Sequence, residues 1–261
     1  MSEIKYVYVN GCSYANGNGL SGSSDINHYE SMGGIKTIPE RYSYLLAKKF
    51  DAVELNDALG GGSNQRIYRK TFDWASKNPD KLNNTLFVIQ WSYGSRNELW
   101  YQGATPDETG QPTPPSPGWK GNWYNSYFGH DGYTSFFTKK KPFPTSPEES
   151  NPDYILPNKQ LSDITLRYAL SLQSFFKLNN IPYIMFDGDM AVRPPNLIDW
   201  KDGSELNRNS KLGKLIDFSC WVDVGFKNYA KDRLTECNHP NAEVQIEWTD
   251  KLYSLYQERY K

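Results

Sequence analysis

Ile4-Lys5-Tyr6-Val7-Tyr8-Val9-Asn10-Gly11-Cys12-Ser13 is the stretch that decides the fold. β-Branched and aromatic residues make 4–9 a buried strand, and Asn10-Gly11 turns the chain at its end. Cys12-Ser13 then falls where an α/β sheet presents the carboxyl ends of its strands and builds its sites. Working outward, Pro39 opens a helix that puts Tyr42, Leu45, Leu46 and Phe50 on one face. Residues 52–56 (AVELN) read as a second strand, stopped by Gly60-Gly61-Gly62. Ser63 or Asn64 can cap the next helix, which carries Ile67, Phe72 and Ala75 inward. Residues 85–91 (TLFVIQW) are the clearest strand, and 182–186 (PYIMF) a fourth. Between these two lies a long amphipathic helix, 159–178, burying Leu161, Ile164, Tyr168, Leu172, Phe175 and Phe176. A last helix spans about 240–260, with Val244, Trp248, Leu252 and Leu255 as its stripe. Strands alternating with helices predict an α/β protein whose parallel sheet is covered on both faces.

The stretch 92–158 breaks this rhythm. Ten of the 16 prolines fall in it, together with Trp100, Trp119, Trp123, Tyr124, Tyr127 and Phe128. So long a connection is unusual inside a compact domain and normally has a function or is disordered. The rings predict a folded insertion rather than a bare loop. Lys139-Lys140-Lys141 reads as a solvated run.

Composition excludes several classes. Lys plus Arg is 29 and Asp plus Glu is 30, for a net charge of −1, which gives no footprint for nucleic acid or an anionic membrane. Of 261 residues 15% are aromatic, enough large rings to build a core although only 38% are hydrophobic. No apolar run approaches the roughly 18 residues of a membrane span, and the N-terminus lacks the apolar segment of a secretory signal. Cys12, Cys220 and Cys237 are an odd set without metal-type spacing, as expected of free thiols in a reducing compartment. A soluble, cytoplasmic protein without cofactor or metal is the expectation.

Two clusters could carry chemistry. The first is Gly11-Cys12-Ser13, with Gly17 and Gly19 bending the backbone so that the hydroxyl is exposed. As the plain alternative, Ser13 is a cap or turn residue. The second is Glu236-Cys237-Asn238-His239-Pro240, just before the last helix. An acid three residues before a histidine can fold back, accept from one imidazole nitrogen and leave the other as a base. His28 and His130 have no acid at that spacing.

Together these clusters resemble the SGNH (GDSL) hydrolases. Gly11-Cys12-Ser13-Tyr14-Ala15-Asn16-Gly17-Asn18-Gly19 is similar to that family's first block, Gly-Asp-Ser-x-Thr-x-Gly-x-Gly. Asn56-x-Ala58-x-x-Gly61 resembles the second, Asn-x-Gly-x-x-Gly, and Glu236-x-x-His239-Pro240 the fifth, Asp-x-x-His-Pro. The resemblance covers the chain as a single domain, 1–261, apart from the insertion at 92–158. It implies a flavodoxin-like three-layer sandwich, Ser13 as nucleophile, His239 as base and Glu236 as its orienting acid. Its oxyanion donors would be the N–H groups of Ser13 and Gly61, fixed dipoles that meet the charge of a tetrahedral intermediate. Three departures stand out. Cys12 replaces the Asp beside the serine, Glu236 replaces the triad Asp, and no Gly-x-Asn-Asp follows the third strand. Asn97 in a shifted register, or Asn64 after the glycine run, could supply the missing side-chain donor. The Gly-Cys-Ser start and Trp91-Ser92 also resemble SGNH-type proteins encoded by bacteriophages.

The resemblance implies a serine esterase. Trp91, Trp119, Trp123 and Tyr124, as stacking rings, point to an ester on a carbohydrate, such as an O-acetyl group. A lipid ester would want an aliphatic channel, and 92–158 holds almost no Leu, Ile or Val. The alternative is a non-catalytic structural or glycan-binding protein on the same fold, for example a virion component with other virion proteins as partners. Gly17-Asn18-Gly19-Leu20-Ser21-Gly22 matches a dinucleotide fingerprint but does not sit at a strand end opening a helix. Asp187-Gly188-Asp189 has no spaced His or Cys and reads as a turn.

Overall fold

The structure, a computed structural model, describes residues 3–20, 38–60, 62–92, 96–101, 122–129, 132–134, 158–188 and 210–261, with backbone alone at 96–134 and 158–162. Its strands are β1 (Tyr6–Asn10), β2 (Val53–Asn56), β3 (Thr85–Trp91), β4 (Arg96–Tyr101), β5 (Asn122–Gly129), β6 (Gly132–Thr134) and β7 (Tyr183–Asp187). Its helices are α1 (Ser13–Asn16), α2 (Tyr42–Lys49), α3 (Asn64–Lys77), α4 (Asn158–Leu178), α5 (Phe226–Ala230) and α6 (Ala242–Tyr260).

β2, β1, β3 and β7 form, in that order, one parallel sheet. All seven residues of β3 are buried, as a central parallel strand covered on both faces requires. Alternation divides the side chains between two cores. Val7, Val9, Leu86, Val88, Ile184 and Phe186 face α2, α5 and α6, while Tyr8, Phe87, Ile89, Trp91, Tyr183 and Met185 face α3 and α4. This is the expected α/β sandwich, its parallel sheet flanked by helices. At the β7 edge a parallel bridge from Met185 to Trp221 extends it.

The helices begin where their caps allow. Ser63 Oγ accepts from Arg66 N at 3.2 Å to start α3, and Asn241 Oδ1 accepts from Val244 N at 3.0 Å to start α6. Pro39 lies ahead of α2, in a turn that Arg41 closes. In α4 the buried side is rotated from the expected stripe: Thr165, Leu166, Ala169, Leu172, Gln173 and Phe176 point inward, and Ile164, Tyr168 and Phe175 are half-buried. The reason is polar. Gln173 exchanges two hydrogen bonds with the Asp217 backbone, at 2.8 and 3.0 Å, and Thr165 Oγ1 receives Asn64 Nδ2 at 3.0 Å. Polar residues whose partners lie inside the protein are buried with the apolar ones.

The insertion contains a second sheet, antiparallel, in the order β4-β5-β6, with Arg96 opposite Tyr127. β4 lies against α3. Trp119 and Lys139 to Lys141 lie outside the described residues. Among the described residues, no helix is long and apolar enough to cross a membrane.

Candidate active site

Ser13 opens α1, a single turn that starts two residues after β1. Asn10 ties the strand end down: its Nδ2 donates to Ile67 O at 3.0 Å and Thr71 Oγ1 at 3.1 Å, and its Oδ1 accepts from Gly11 N at 2.9 Å. Gly11 has no room for a side chain, because a Cβ there would meet Ala15 Cβ and Gln90 Cβ at 2.8 Å. α1 closes at Gly17, whose φ of 84° is the left-handed cap that favours glycine. Ser13 is buried to 8% exposure. Among the described hydrogen bonds none uses its N–H, as befits the first turn of a helix.

The second block works as a pin beneath this turn. Asn56 Nδ2 donates to Ala15 O at 2.9 Å and to Ser43 Oγ at 3.0 Å, while its Oδ1 accepts from Ala58 N at 2.9 Å. Behind it, Arg41 grips Glu54 with two bonds of 2.7 Å and reaches Asn16 O at 3.4 Å, and Ser43 Oγ donates to Glu54. Both ionic side chains are under 10% exposed, at 3% and 7%. The loop after β2 returns to the first block, Leu59 N donating to Gly11 O at 3.1 Å. Gly61, the expected second oxyanion donor, lies outside the described residues; a Cβ on Gly62 would stand 3.8 Å from Cys12 Cα.

His239 arrives from the other end of the chain. Its loop is closed by a bridge between Leu234 and Pro240 and by Thr235 N donating to His239 O at 2.7 Å. The imidazole packs edge-on against Tyr14, the residue after Ser13, with ring centroids 5.1 Å apart. A Cβ on Gly19 would come within 2.6 Å of Cys237 Sγ, so the turn leaving α1 touches the histidine loop as well. The two clusters therefore meet at one edge of the sheet.

Glu236 does not sit as the spacing implied. It is exposed and makes none of the described hydrogen bonds. His239 Nδ1 instead lies 2.8 Å from the Cys237 carbonyl oxygen, with Cys237 Sγ at 3.2 Å. A carbonyl can only accept, so this contact puts the proton on Nδ1 and leaves Nε2 as the basic nitrogen. The physical reason is the positive φ of Asn238, 63°, which turns the main chain back under the ring.

The candidates for a side-chain oxyanion donor separate. Asn64 is 3% exposed, and both its amide hydrogens are engaged, to Ser92 O at 2.9 Å and Thr165 Oγ1 at 3.0 Å; its Oδ1 accepts from Ser92 N at 2.7 Å. It has no hydrogen left for an oxyanion and serves to fix the end of β3. Asn97 stands in β4 opposite Ser126, with only its backbone described. Trp91 is fully buried and belongs to the core under α3 and α4, so it is a packing residue and not a substrate platform: strand alternation turns it with Phe87 and Ile89. Trp123 and Tyr124 lie in β5, described by backbone alone.

Reading from sequence missed two features. One is Gln90, a polar residue inside the apolar strand, whose Nε2 donates to Cys12 Sγ at 3.1 Å. Its only sequence signal was that one amide in TLFVIQW. The other is the Cys237 carbonyl, which has no side-chain signal at all. Beside Cys12, burial pushes the Tyr42 phenol well above its ordinary range, and Cys12 adds to the shift. Asp187 ends β7 and Gly188 N donates to Trp91 O at 2.8 Å, continuing the ladder with β3; Asp189 lies outside the described residues. Among the described residues no group of three or more His, Cys, Asp or Glu could hold a metal ion.

Solved structures share this fold. A carbohydrate esterase family 2 enzyme with a carbohydrate binding domain, from Corynascus thermopiles (Myceliophthora fergusii), superposes with a TM-score of 0.52 at 12% identity, covering 98% of this chain and 68% of that one. The psychrotrophic esterase EstA from Pseudoalteromonas sp. gives a TM-score of 0.47 at 11% identity, covering 97% of each chain. At such identity the likeness is one of fold. No curated protein sequence matches the chain. A family profile matches residues 26–222, well over half of its length, and by that match the chain belongs to DUF6071, a family of unknown function.

Proposed function

We propose that the chain is an SGNH-type serine esterase acting on an ester carried by a carbohydrate, such as an O-acetyl group. The observation that carries this reading is the imidazole of His239 packed against Tyr14, the neighbour of Ser13, with Nδ1 directed to the Cys237 carbonyl. In the reaction, Ser13 Oγ attacks the ester carbonyl carbon while His239 Nε2 takes the hydroxyl proton. The Ser13 N–H, used by none of the described hydrogen bonds, meets the oxyanion, and Gly61 N–H is its proposed companion. The imidazolium then protonates the departing alcohol, and water, activated by the same nitrogen, releases the acyl group as acid. Glu236 plays no orienting part in this scheme, since the carbonyl does that work. The fold shared with a carbohydrate esterase is one on which such ester chemistry runs.

The insertion at 92–158 leaves β3 at the edge that carries Ser13, and in this reading it forms a wall or lid within a single domain. Its aromatic residues select the sugar. A serine-reactive fluorophosphonate should label the purified protein, and Ser13→Ala should abolish the labelling. Absence of labelling in the folded wild type refutes the esterase. Replacing Trp119, Trp123 or Tyr124 by Ala should then slow turnover of an acetylated sugar more than that of p-nitrophenyl acetate; equal effects refute the lid.

One observation favours a second reading, a non-catalytic structural or glycan-binding module such as a virion component. No Gly-x-Asn-Asp follows β3, and the Asn64 amide is already engaged. Binding of an acetylated oligosaccharide without turnover, unchanged in Ser13→Ala, would establish it.

A further inference from the structure

We propose that Gln90 is a positioning residue for Ser13: its side-chain amide holds Cys12 turned into the protein and thereby fixes the turn on which the serine sits. The inference rests on the esterase reading of the same site. Gln90 is fully buried in β3, on the face of Val88, beneath α1. A leucine or valine would have continued the apolar core there. The amide instead brings a donor and an acceptor that must be matched or left at a cost. Nε2 donates to Cys12 Sγ at 3.1 Å, and Oε1 has no hydrogen-bond partner among the described residues.

The surroundings are shaped for this amide. A Cβ on Gly188 would stand 2.0 Å from Gln90 Nε2, and one on Gly11 would stand 2.8 Å from Gln90 Oε1. Glycines on β1's exit and on β7's exit thus form the slot that the amide fills. Cys12 is the residue that caps α1, and its side chain makes no capping bond to the helix. Its thiol points to Gln90 instead. The Cys12–Ser13 peptide supplies the N–H proposed for the oxyanion, so whatever fixes Cys12 also aims that N–H. A buried amide with one half unmatched, next to the nucleophile turn, fits a site that keeps polarity for geometry rather than for stability.

The test is a double-mutant cycle on Gln90→Met, which keeps shape and loses the donor, and Cys12→Ala, which removes the acceptor. Gln90→Met should slow fluorophosphonate labelling and lower kcat on p-nitrophenyl acetate by roughly tenfold or more, with KM within about twofold, because misplaced catalytic groups cost rate and not binding. Cys12→Ala should behave alike, and the double variant should be no slower than the slower single one. Wild-type labelling of Gln90→Met, or losses that multiply, overturn the proposal. If Gln90→Met does not fold, Gly188→Ala pushes the amide from the opposite side; slowed labelling supports the proposal and an unchanged rate overturns it. If the wild type itself is not labelled, the esterase reading has failed, and alkylation of Cys12 by iodoacetamide decides the hold alone. Cys12 protected in the wild type and alkylated in Gln90→Met supports it; equal protection refutes it.

Discussion

Replacing Arg41 by Met should be among the most damaging single changes to this fold. Arg41 and Glu54 form a two-bond ion pair at 2.7 Å, with side chains 3% and 7% exposed. Removing the guanidinium leaves the Glu54 carboxylate in the interior with Ser43 Oγ as a remaining donor. Breaking one half of a buried pair costs about 3–5 kcal/mol, mostly the penalty of the stranded charge. For a chain of this size each kcal/mol lowers Tm by roughly 2–4 °C, so the expected drop is about 6–20 °C. Guanidinium denaturation followed by tryptophan fluorescence measures it directly, and the midpoint should fall with little change in slope. The double variant Arg41→Met with Glu54→Leu, which removes both charges, should recover most of the loss. A loss below about 1 kcal/mol in the single variant, or a double variant no better than the single, would refute the argument that desolvation of an unpaired Glu54 dominates.

The other expectations follow from the histidine loop and from the α4 end of the sheet. Glu236→Gln should leave labelling and turnover within about threefold of the wild type, whereas His239→Ala should reduce both by orders of magnitude; comparable losses would return Glu236 to the site. Burial would raise the Asp217 carboxyl, but hydrogen bonds from Lys177 and Ser219 and the Lys177 charge outweigh it and hold it at about 2, below the ordinary 3.8. Its stabilisation is therefore complete above about pH 4 and is lost as pH falls toward 2. Asp217→Asn should be less stable than the wild type at about pH 5, with the gap closing by about pH 2; parallel stability curves across that range refute it.

The sheet was legible because 4–9, 85–91 and 182–186 are short apolar runs punctuated by Gly, Asn and Pro, and period and punctuation survive any packing. The rotated face of α4 was not legible. Thr165 and Gln173 are inward because of Asn64 and Asp217, partners distant in sequence, and a hydrophobicity stripe counts such residues as outward. That the turn carrying Ser13 and the loop carrying His239 meet was legible from block order. Trp91 was misread as a substrate ring because its residue type fits both a platform and a core, and only strand alternation decides between them. The Cys237 carbonyl beside His239 Nδ1 was hidden for a different reason: a main-chain carbonyl belongs to every residue, so composition at position 236 says nothing about it.

One core joins the first strand to the last helix: Val7 and Val9 pack in the cluster that holds Trp248, Leu252 and Tyr256. That arrangement has a cost during synthesis. A nascent chain makes β1 about 230 residues before α6, so the part of this face that Trp248, Leu252 and Tyr256 cover stays wet until α6 has left the ribosome. Contacts spanning nearly the whole chain also make loop closure expensive and folding slow. Until α6 docks, the apolar surface it covers on β1 and β3 is available to other chains, which makes the chain awaiting α6 the species to protect from aggregation.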